Sequence, residues 1–248
     1  MTSGKNLIII KKLSRGVAQM VARMVRDHEA ASSSLATPTM WDKTVLVLSH
    51  LFFYEVPKMI IETERLILRP FLETDAADVY EYLKEPAVNC FACMKLNSLE
   101  EAKEEMKKRL GETEYCFAIA LKESGRVIGE IEAYPEPGEP HSDESAVRDT
   151  FSPCWMLNVN YQGKGYAFEA AHAFFDYLFS QKGARRIYAY TEDYNLSSQR
   201  LCEKLGMRRE GVFLEFVSFV TNSDGSPKYE STVQYAILRK EWVRRRAF

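Results

Sequence analysis

The chain has 248 residues, 46% of them apolar and 27% charged, enough for one large domain or two small ones and incompatible with a disordered or fibrous protein. Its formal net charge of −2 joins unlike parts: residues 1–58 carry eight Lys/Arg against four Asp/Glu, and residues 59–248 carry 25 against 31. The acidic balance of the larger part argues against a nucleic-acid partner, which would call for clustered basic charge, and is compatible with a cationic amine.

The first 58 residues read differently from the rest. Apolar and basic residues alternate from Asn6 to Arg26, and Glu29 to Thr39 then has the composition of a linker. The stretch from Arg15-Gly-Val-Ala-Gln to Ser33-Ser-Leu-Ala-Thr-Pro-Thr39 resembles the conceptual translation of a transfer-RNA gene. That resemblance implies a natural start at Met59, so that 1–58 is a flexible or mis-annotated extension and 59–248 the functional domain. The longest apolar run, Val45 to Tyr54, contains Ser49 and His50 and spans about ten residues, half of what a membrane-crossing helix needs.

Beyond Met59, alternation around Leu66 and Leu68 predicts a strand, followed by a helix from Asp75 carrying Val79, Tyr82 and Leu83 and stopping near Pro86. Ser98-Leu-Glu-Glu101 is a capping box opening a second helix with Ala102, Met106 and Leu110 on one stripe. Tyr115–Lys122 and Arg126–Tyr134 read as a hairpin turning at Glu123-Ser-Gly125. Pro135 to Asp149 is an acidic loop, and Phe151–Val159 reads as one further strand. Gln162–Lys182 is a long helix with Ala167, Ala170, Ala171, Phe174 and Leu178 in line. Arg186–Thr191 is a strand, and Asn195–Leu205 is a helix stopped by Gly206. Gly211–Val220 and Tyr229–Leu238 are strands flanking the turn Asn222-Ser-Asp-Gly225. The order predicts a mixed α/β domain with one core.

Chemistry concentrates where the strand ending Trp155-Met-Leu-Asn-Val159 runs into Asn160-Tyr-Gln-Gly-Lys-Gly-Tyr-Ala167. A glycine turn opening a helix points unpaired amides outward at the positive end of the helix dipole, which suits a phosphate. A Walker loop is excluded because no Ser/Thr follows Lys164. A Rossmann fingerprint is excluded because Phe168 stands where Gly or Ala is needed. The pattern Gln/Arg-x-x-Gly-x-Gly/Ala is met by Gln162, Gly165 and Ala167.

On this loop the chain resembles the GNAT acetyltransferase superfamily. Thr191, Asn195, Ser198, Glu203-Lys-Leu-Gly206 and Glu210-Gly211 resemble the segment that follows in the branch of ribosomal-protein N-terminal acetyltransferases, as does Glu64-Arg-Leu-Ile-Leu-Arg-Pro-Phe71. The resemblance implies a twisted, mainly antiparallel sheet flanked by helices, with two central strands splayed apart, and acetyl-CoA as co-substrate. Gln162, Gly163, Lys164, Gly165, Tyr166 and Ala167 match the pyrophosphate loop. Leu157, Asn158 and Val159 match the strand edge that bonds the pantetheine arm. Asn195 matches a cofactor contact, and Ser198 matches a hydroxyl that protonates the leaving thiolate. Asn195 also reads as an ordinary helix N-cap, and Ser198 as a cap-turn residue.

Acyl transfer to an amine needs a base, because the amine is protonated at neutral pH. Candidates are Glu130 and Glu132, which share one strand face, and Glu215, with a solvated strand face as the alternative reading of each. A backbone amide on the splayed strand would stabilise the oxyanion. The acceptor is a protein N-terminal amine or a small-molecule amine, and the acidic loop Glu136–Asp149 is a candidate for recruiting it. Glu169 and His172 lie three apart on one helix, but no further His accompanies them, so no metal is expected. The five cysteines, mostly in apolar runs, predict reduced, buried thiols and a cytoplasmic setting, and Cys90-Phe-Ala-Cys93 lacks the second pair that a zinc site needs. No nucleic-acid or membrane partner is expected, and a homodimer is the assembly to test. A non-catalytic acyl-CoA-binding sensor or scaffold is the competing reading.

Overall fold

The computed structural model describes residues 59–136 and 147–246; the expectations for residues 1–58 and for most of the acidic loop lie outside the described residues. Strands β1 (Ile61–Glu62) and β2 (Leu66–Arg69) pair antiparallel, and β2 buries Leu66 and Leu68 as alternation requires. Asp75 is buried at the foot of helix α1 (Ala76–Leu83), paired with Arg69 at 2.7 Å and accepting from the Leu72 amide at 2.8 Å. Helix α2 (Leu99–Arg109) opens at the predicted box, with Ser98 Oγ accepting from the Glu101 amide at 3.2 Å. The Glu101 carboxylate reaches one residue further back than the motif expects, to the Asn97 amide at 2.8 Å. Between the helices lies a 3-10 turn, Asn89–Met94, that no periodicity announced.

The predicted hairpin forms as β3 (Cys116–Leu121) and β4 (Val127–Glu132), with a bulge where Ile119 pairs Gly129 and Ala120 pairs Val127. The expected single strand Phe151–Val159 is instead divided. Short β5 (Pro135–Glu136) pairs β6 (Thr150–Phe151), and after Ser152-Pro153 the chain restarts as β7 (Cys154–Leu157) in another sheet. Proline lacks the amide a ladder needs, so the break falls there. Asn158 and Val159, expected on the strand edge, lie beyond it, at the entry to the 3-10 turn Val159–Tyr161.

Helix α3 (Tyr166–Ser180), β8 (Arg186–Glu192), α4 (Leu196–Lys204), β9 (Arg208–Thr221) and β10 (Pro227–Leu238) follow close to expectation. A final helix α5 (Arg239–Arg246) was hidden in Arg-Lys-Glu-Trp-Val-Arg-Arg-Arg, which has no apolar stripe. It is held through Trp242, whose Nε1 donates to Asp176 at 2.6 Å.

Two five-stranded sheets result, ordered β1-β2-β3-β4-β7 and β5-β6-β8-β10-β9, antiparallel except for β6 beside β8. Helix α3 covers one face, packing Ala170, Ala171, Phe174 and Leu178 into the main core with Phe117, Ile131 and Ile187. Helices α1 and α2 cover the other face of the first sheet through Val79, Leu83 and Met106. Each fully buried side chain of this size contributes about 1.5–3 kcal/mol relative to exposure.

Candidate active site

The splay originates at Phe151. There β6 pairs β8 in parallel at Thr150–Arg186 and Phe151–Ile187, but β7 pairs only β4, so Cys154–Leu157 and Tyr188–Glu192 face each other across a gap without a ladder. The β4 bulge bends this edge, and Gly129 permits it: a Cβ there would lie 2.2 Å from the Met156 carbonyl oxygen, closer than atoms approach.

At the end of β7 the Asn158 amide bonds the Ile128 carbonyl at 2.8 Å, and its side chain accepts from the Asn160 amide at 3.0 Å. Gln162 Nε2 ties back to the Leu157 carbonyl at 3.2 Å. Backbone bonding in the loop stops at the Gln162 amide on Val159 O and resumes at the Glu169 amide on Gly165 O. Between them, the amides from Gly163 to Phe168 meet no backbone acceptor among the described residues, at the N-terminus of a fifteen-residue helix. Gly163 and Gly165 have φ of 74° and 83°, the left-handed region that aims these amides outward. The loop therefore fits a pyrophosphate. Lys164 folds back, donating to Asn160 O at 3.2 Å, and Ala167 packs toward the core.

A residue unmarked by the motif braces this loop. Arg65, between β1 and β2, donates to Lys164 O at 3.0 Å, stacks over Tyr166 at 4.5 Å and pairs with Glu169 at 2.6 Å. Burial would raise the Glu169 carboxyl, but hydrogen bonds from Thr63 and Arg65 outweigh it and hold the group below its ordinary value. Glu169 is thus committed to the loop brace, and His172 packs against Trp242 at 4.8 Å. Among the described residues no group of three or more His, Cys, Asp or Glu is placed to hold a metal ion.

On the α3 side of the gap, Asn195 caps α4, its Oδ1 accepting from the Ser198 amide at 3.2 Å, and its Nδ2 reaches Glu192 at 3.3 Å. Ser198 Oγ accepts from Trp155 Nε1 at 3.2 Å, a bond joining α4 to β7 across 43 residues of chain. No acceptor for the Ser198 proton is found among the described residues.

The opposite side carries the carboxylates. Glu130 and Glu132 do share a face, opposite Met156 and Cys154. Glu130 is not solvated. It is buried, accepting from Tyr82 Oη at 2.7 Å and Arg109 Nη1 at 2.8 Å. Burial and the adjacent carboxylate push the Tyr82 hydroxyl well up; burial would lower Arg109, but Glu130 and Glu105 outweigh it and raise it. Glu132 is outside this pair; burial and the charge of Glu130 raise its carboxyl, opposed by a bond from the Cys116 thiol and by the charge of Arg109. Glu215 lies apart, exposed on β9 with φ of 47°. It lines a cavity of about 460 Å³ with Asn89, Asp193, Tyr194, Lys228 and Glu230. Glu230 is buried, accepting from Asn89 Nδ2 and, at 3.3 Å, from the Tyr194 hydroxyl. Burial and the Glu192 and Glu230 charges, offset in part by the Asn89 amide, push that hydroxyl up to about 12. Asn89, which lines the cavity, opens the turn Asn89–Met94, and there burial, Glu192 and Cys154 push the Cys90 thiol up.

Of the cysteines, all free, only Cys116 and Cys202 are buried; Cys90 and Cys154 are partly so and Cys93 is exposed. At the described ends of the acidic loop, Glu136 accepts from Tyr188 Oη at 2.7 Å and Asp149 pairs with Arg185 at 2.9 Å. Among the described residues no helix is long and apolar enough to cross a membrane.

Residues 65–208 match the family model described as acetyltransferase (GNAT) domain. The chain is 34% identical over 184 residues to the uncharacterized N-acetyltransferase YnaD of Bacillus subtilis (strain 168), covering 74% of this chain and 99% of that protein. A crystal structure of an acetyltransferase (GNAT family) from Bacillus anthracis is 30% identical with a TM-score of 0.61, covering 74% of this chain and all of that one. The fold is also that of the microcin C7 self-immunity acetyltransferase MccE, solved with acetyl-CoA and AMP, at 15% identity and a TM-score of 0.56 over 74% of this chain and 97% of that one.

Proposed function

The chain belongs to the GNAT acetyltransferase family, and on that premise we propose that it moves an acetyl group from acetyl-CoA to a primary amine by direct attack on the thioester. The observation that supports this most is the order of the parts: an amide cradle at α3, a gap without a ladder between β7 and β8, and the carboxylates Glu130 and Glu132 on β4, the strand paired with β7. A module that only binds acyl-CoA would have no use for the third.

Bound acetyl-CoA supplies an activated acyl carbon. The loop amides from Gly163 to Phe168 hold the diphosphate, and Gln162 fixes the loop to β7. The open edge of β7 offers N–H donors to charge developing on the thioester oxygen. Glu132 takes the amine proton, directly or through water. Its raised carboxyl makes it a better base than an ordinary glutamate, and Glu130 is already committed to Arg109 and Tyr82. Ser198 keeps a hydroxyl proton to give to the departing thiolate.

For the acceptor, the cavity beside the gap offers Asp193, Glu215 and Glu230 against one cation, Lys228. This balance favours an amine with additional positive charge, in a small molecule or near a protein N-terminus. The test is a thiol-release screen over mono-, di- and polyamines and peptides with free N-termini. Turnover rising with acceptor positive charge is expected. Acetyl-CoA binding without thiol release from any amine would leave the sensor reading in its place.

A further inference from the structure

Cys90-Phe-Ala-Cys93 has no part in the proposed reaction, and the fold gives it a geometry that its spacing does not announce. Both cysteines lie within the 3-10 turn Asn89–Met94. At three residues per turn the side chains of residues i and i+3 eclipse, and a rise of about 2.0 Å per residue puts their Cα atoms roughly 6 Å apart. That falls within the span of about 4.4–6.8 Å that a disulfide bridges. Cys93 is exposed and Cys90 half-buried. An accessible thiol beside a shielded second one is the arrangement of an attacking and a resolving cysteine.

The turn is also fastened to the site. Asn89, next to Cys90, donates through Nδ2 to the buried Glu230 in the cavity, and its backbone amide reaches Tyr194 Oη at 3.4 Å. The Cys90 thiol donates to Glu192, which is buried at the end of β8. A disulfide needs its Cβ atoms about 3.8 Å apart, so closing it tightens the turn beside Asn89. It also removes the hydrogen that Cys90 offers Glu192.

We propose that Cys90 and Cys93 form a thiol–disulfide site oxidised by a peroxide, and that closing it draws Asn89 off Glu230 and weakens acceptor binding. The effect on the acceptor rests on the acetyltransferase reading; the disulfide does not. The Cys93 thiolate attacks one peroxide oxygen, the O–O bond breaks, and the departing hydroxide is protonated to water, leaving a sulfenic acid. Cys90 passes its proton to Glu192 and its sulfur attacks Cys93 Sγ. The S–S bond forms as hydroxide leaves and takes that proton, giving a second water. Two thiols are oxidised by two electrons and one peroxide is reduced by two. Burial, Glu192 and Cys154 push the Cys90 thiol up, which makes it a poor leaving group, so attack by a reductant on the exposed Cys93 sulfur is slow.

The full chain treated with hydrogen peroxide should lose two of its five thiols, and the tryptic segment Glu85–Lys95 should be lighter by two hydrogens. The acceptor KM should rise about 10–100-fold, the loss of one hydrogen bond to a charge, with acetyl-CoA binding unchanged and recovery in dithiothreitol. Cys93→Ser should keep its KM through the same treatment. In nitrogen-15-labelled chain the Asn89 side-chain amide resonance should move on oxidation, whether or not any amine is turned over. No bond between Cys90 and Cys93, or Cys90 joined to Cys154 instead, overturns the site. A mapped bond with an unmoved Asn89 resonance or an unchanged KM, or a KM that rises equally in Cys93→Ser, overturns its link to the acceptor. A moved resonance in a chain that acetylates no amine defeats the proposed activity and leaves the site and its hold on Asn89 standing.

Discussion

The two sides of the splayed strands are built from different materials. At the N-terminus of α3 the site is backbone: amides fixed by two left-handed glycines within one contiguous stretch, Asn158 to Phe168, with the side chains of Asn195 and Ser198 beside it. On the opposite side it is side chain: Tyr82 from α1, Arg109 from α2, Glu130 and Glu132 from β4, Glu192 from β8. A backbone cradle suits the constant part of a reaction, the diphosphate in the proposed function, and depends little on the identity of its non-glycine residues. An assembly of side chains can be exchanged one residue at a time, which suits the part of a reaction that differs between relatives.

That contrast can be broken most sharply at Gly165. Valine there is strained at φ of 83° and brings a Cβ to 3.3 Å from Arg65 Nη2, so Gly165→Val should abolish acetyl-CoA binding by calorimetry while circular dichroism stays unchanged. Normal binding by this variant would remove the cradle from the argument. On the other side, Glu132→Gln should lower kcat by about 10²–10⁴-fold without weakening acetyl-CoA. Because the Glu132 carboxyl is raised by burial and Glu130, activity should fall with decreasing pH above the usual carboxylate range, and the substitution should erase that limb. The linkage has the opposite sign for stability. A carboxyl raised on folding makes the native state less stable as pH climbs from its unfolded to its folded pKa, so Glu132→Gln should be neutral or stabilising above that window. Loss of both rate and stability would mean a structural role.

Arg109→Met tests whether Glu130 is a support rather than a reactant. Removing one partner of a buried pair should cost about 3–5 kcal/mol in urea unfolding, and adding Glu130→Gln should recover part of it. Full activity in the stable double variant is the expected result. The smallest effect is reserved for Ser198→Ala, a loss in kcat at the lower end of the about 10²–10⁴-fold of a positioned general acid. A larger loss accompanied by weaker acetyl-CoA binding would show that its bond to Trp155 matters for the gap itself.

How legible each part was in the sequence follows the same division. The cradle could be read because its residues adjoin, and Gln162, Gly165 and Ala167 carry the geometry in their types. Arg65 was invisible as its brace because the contact with Lys164 spans 99 residues. Glu130 and Glu132 look equivalent under strand alternation; only the helices packed over them make one an ion-paired support and leave the other available. Elements with a strong period, such as α3, were located within a few residues. The break at Pro153 was not, because Phe151 to Val159 is apolar enough to read as one strand, and the proline decides between two sheets rather than between strand and loop.

The contact at Gly129 sets how closely β7 seats on β4. Since the two strands meet where no side chain intervenes, the position of this wall of the gap is a property of two backbones and a missing methyl group. Substitutions among the lining side chains alter what the gap recognises and leave that seat in place. Drift in acceptor preference and constancy of the strand's seat are thereby assigned to separate positions in the chain.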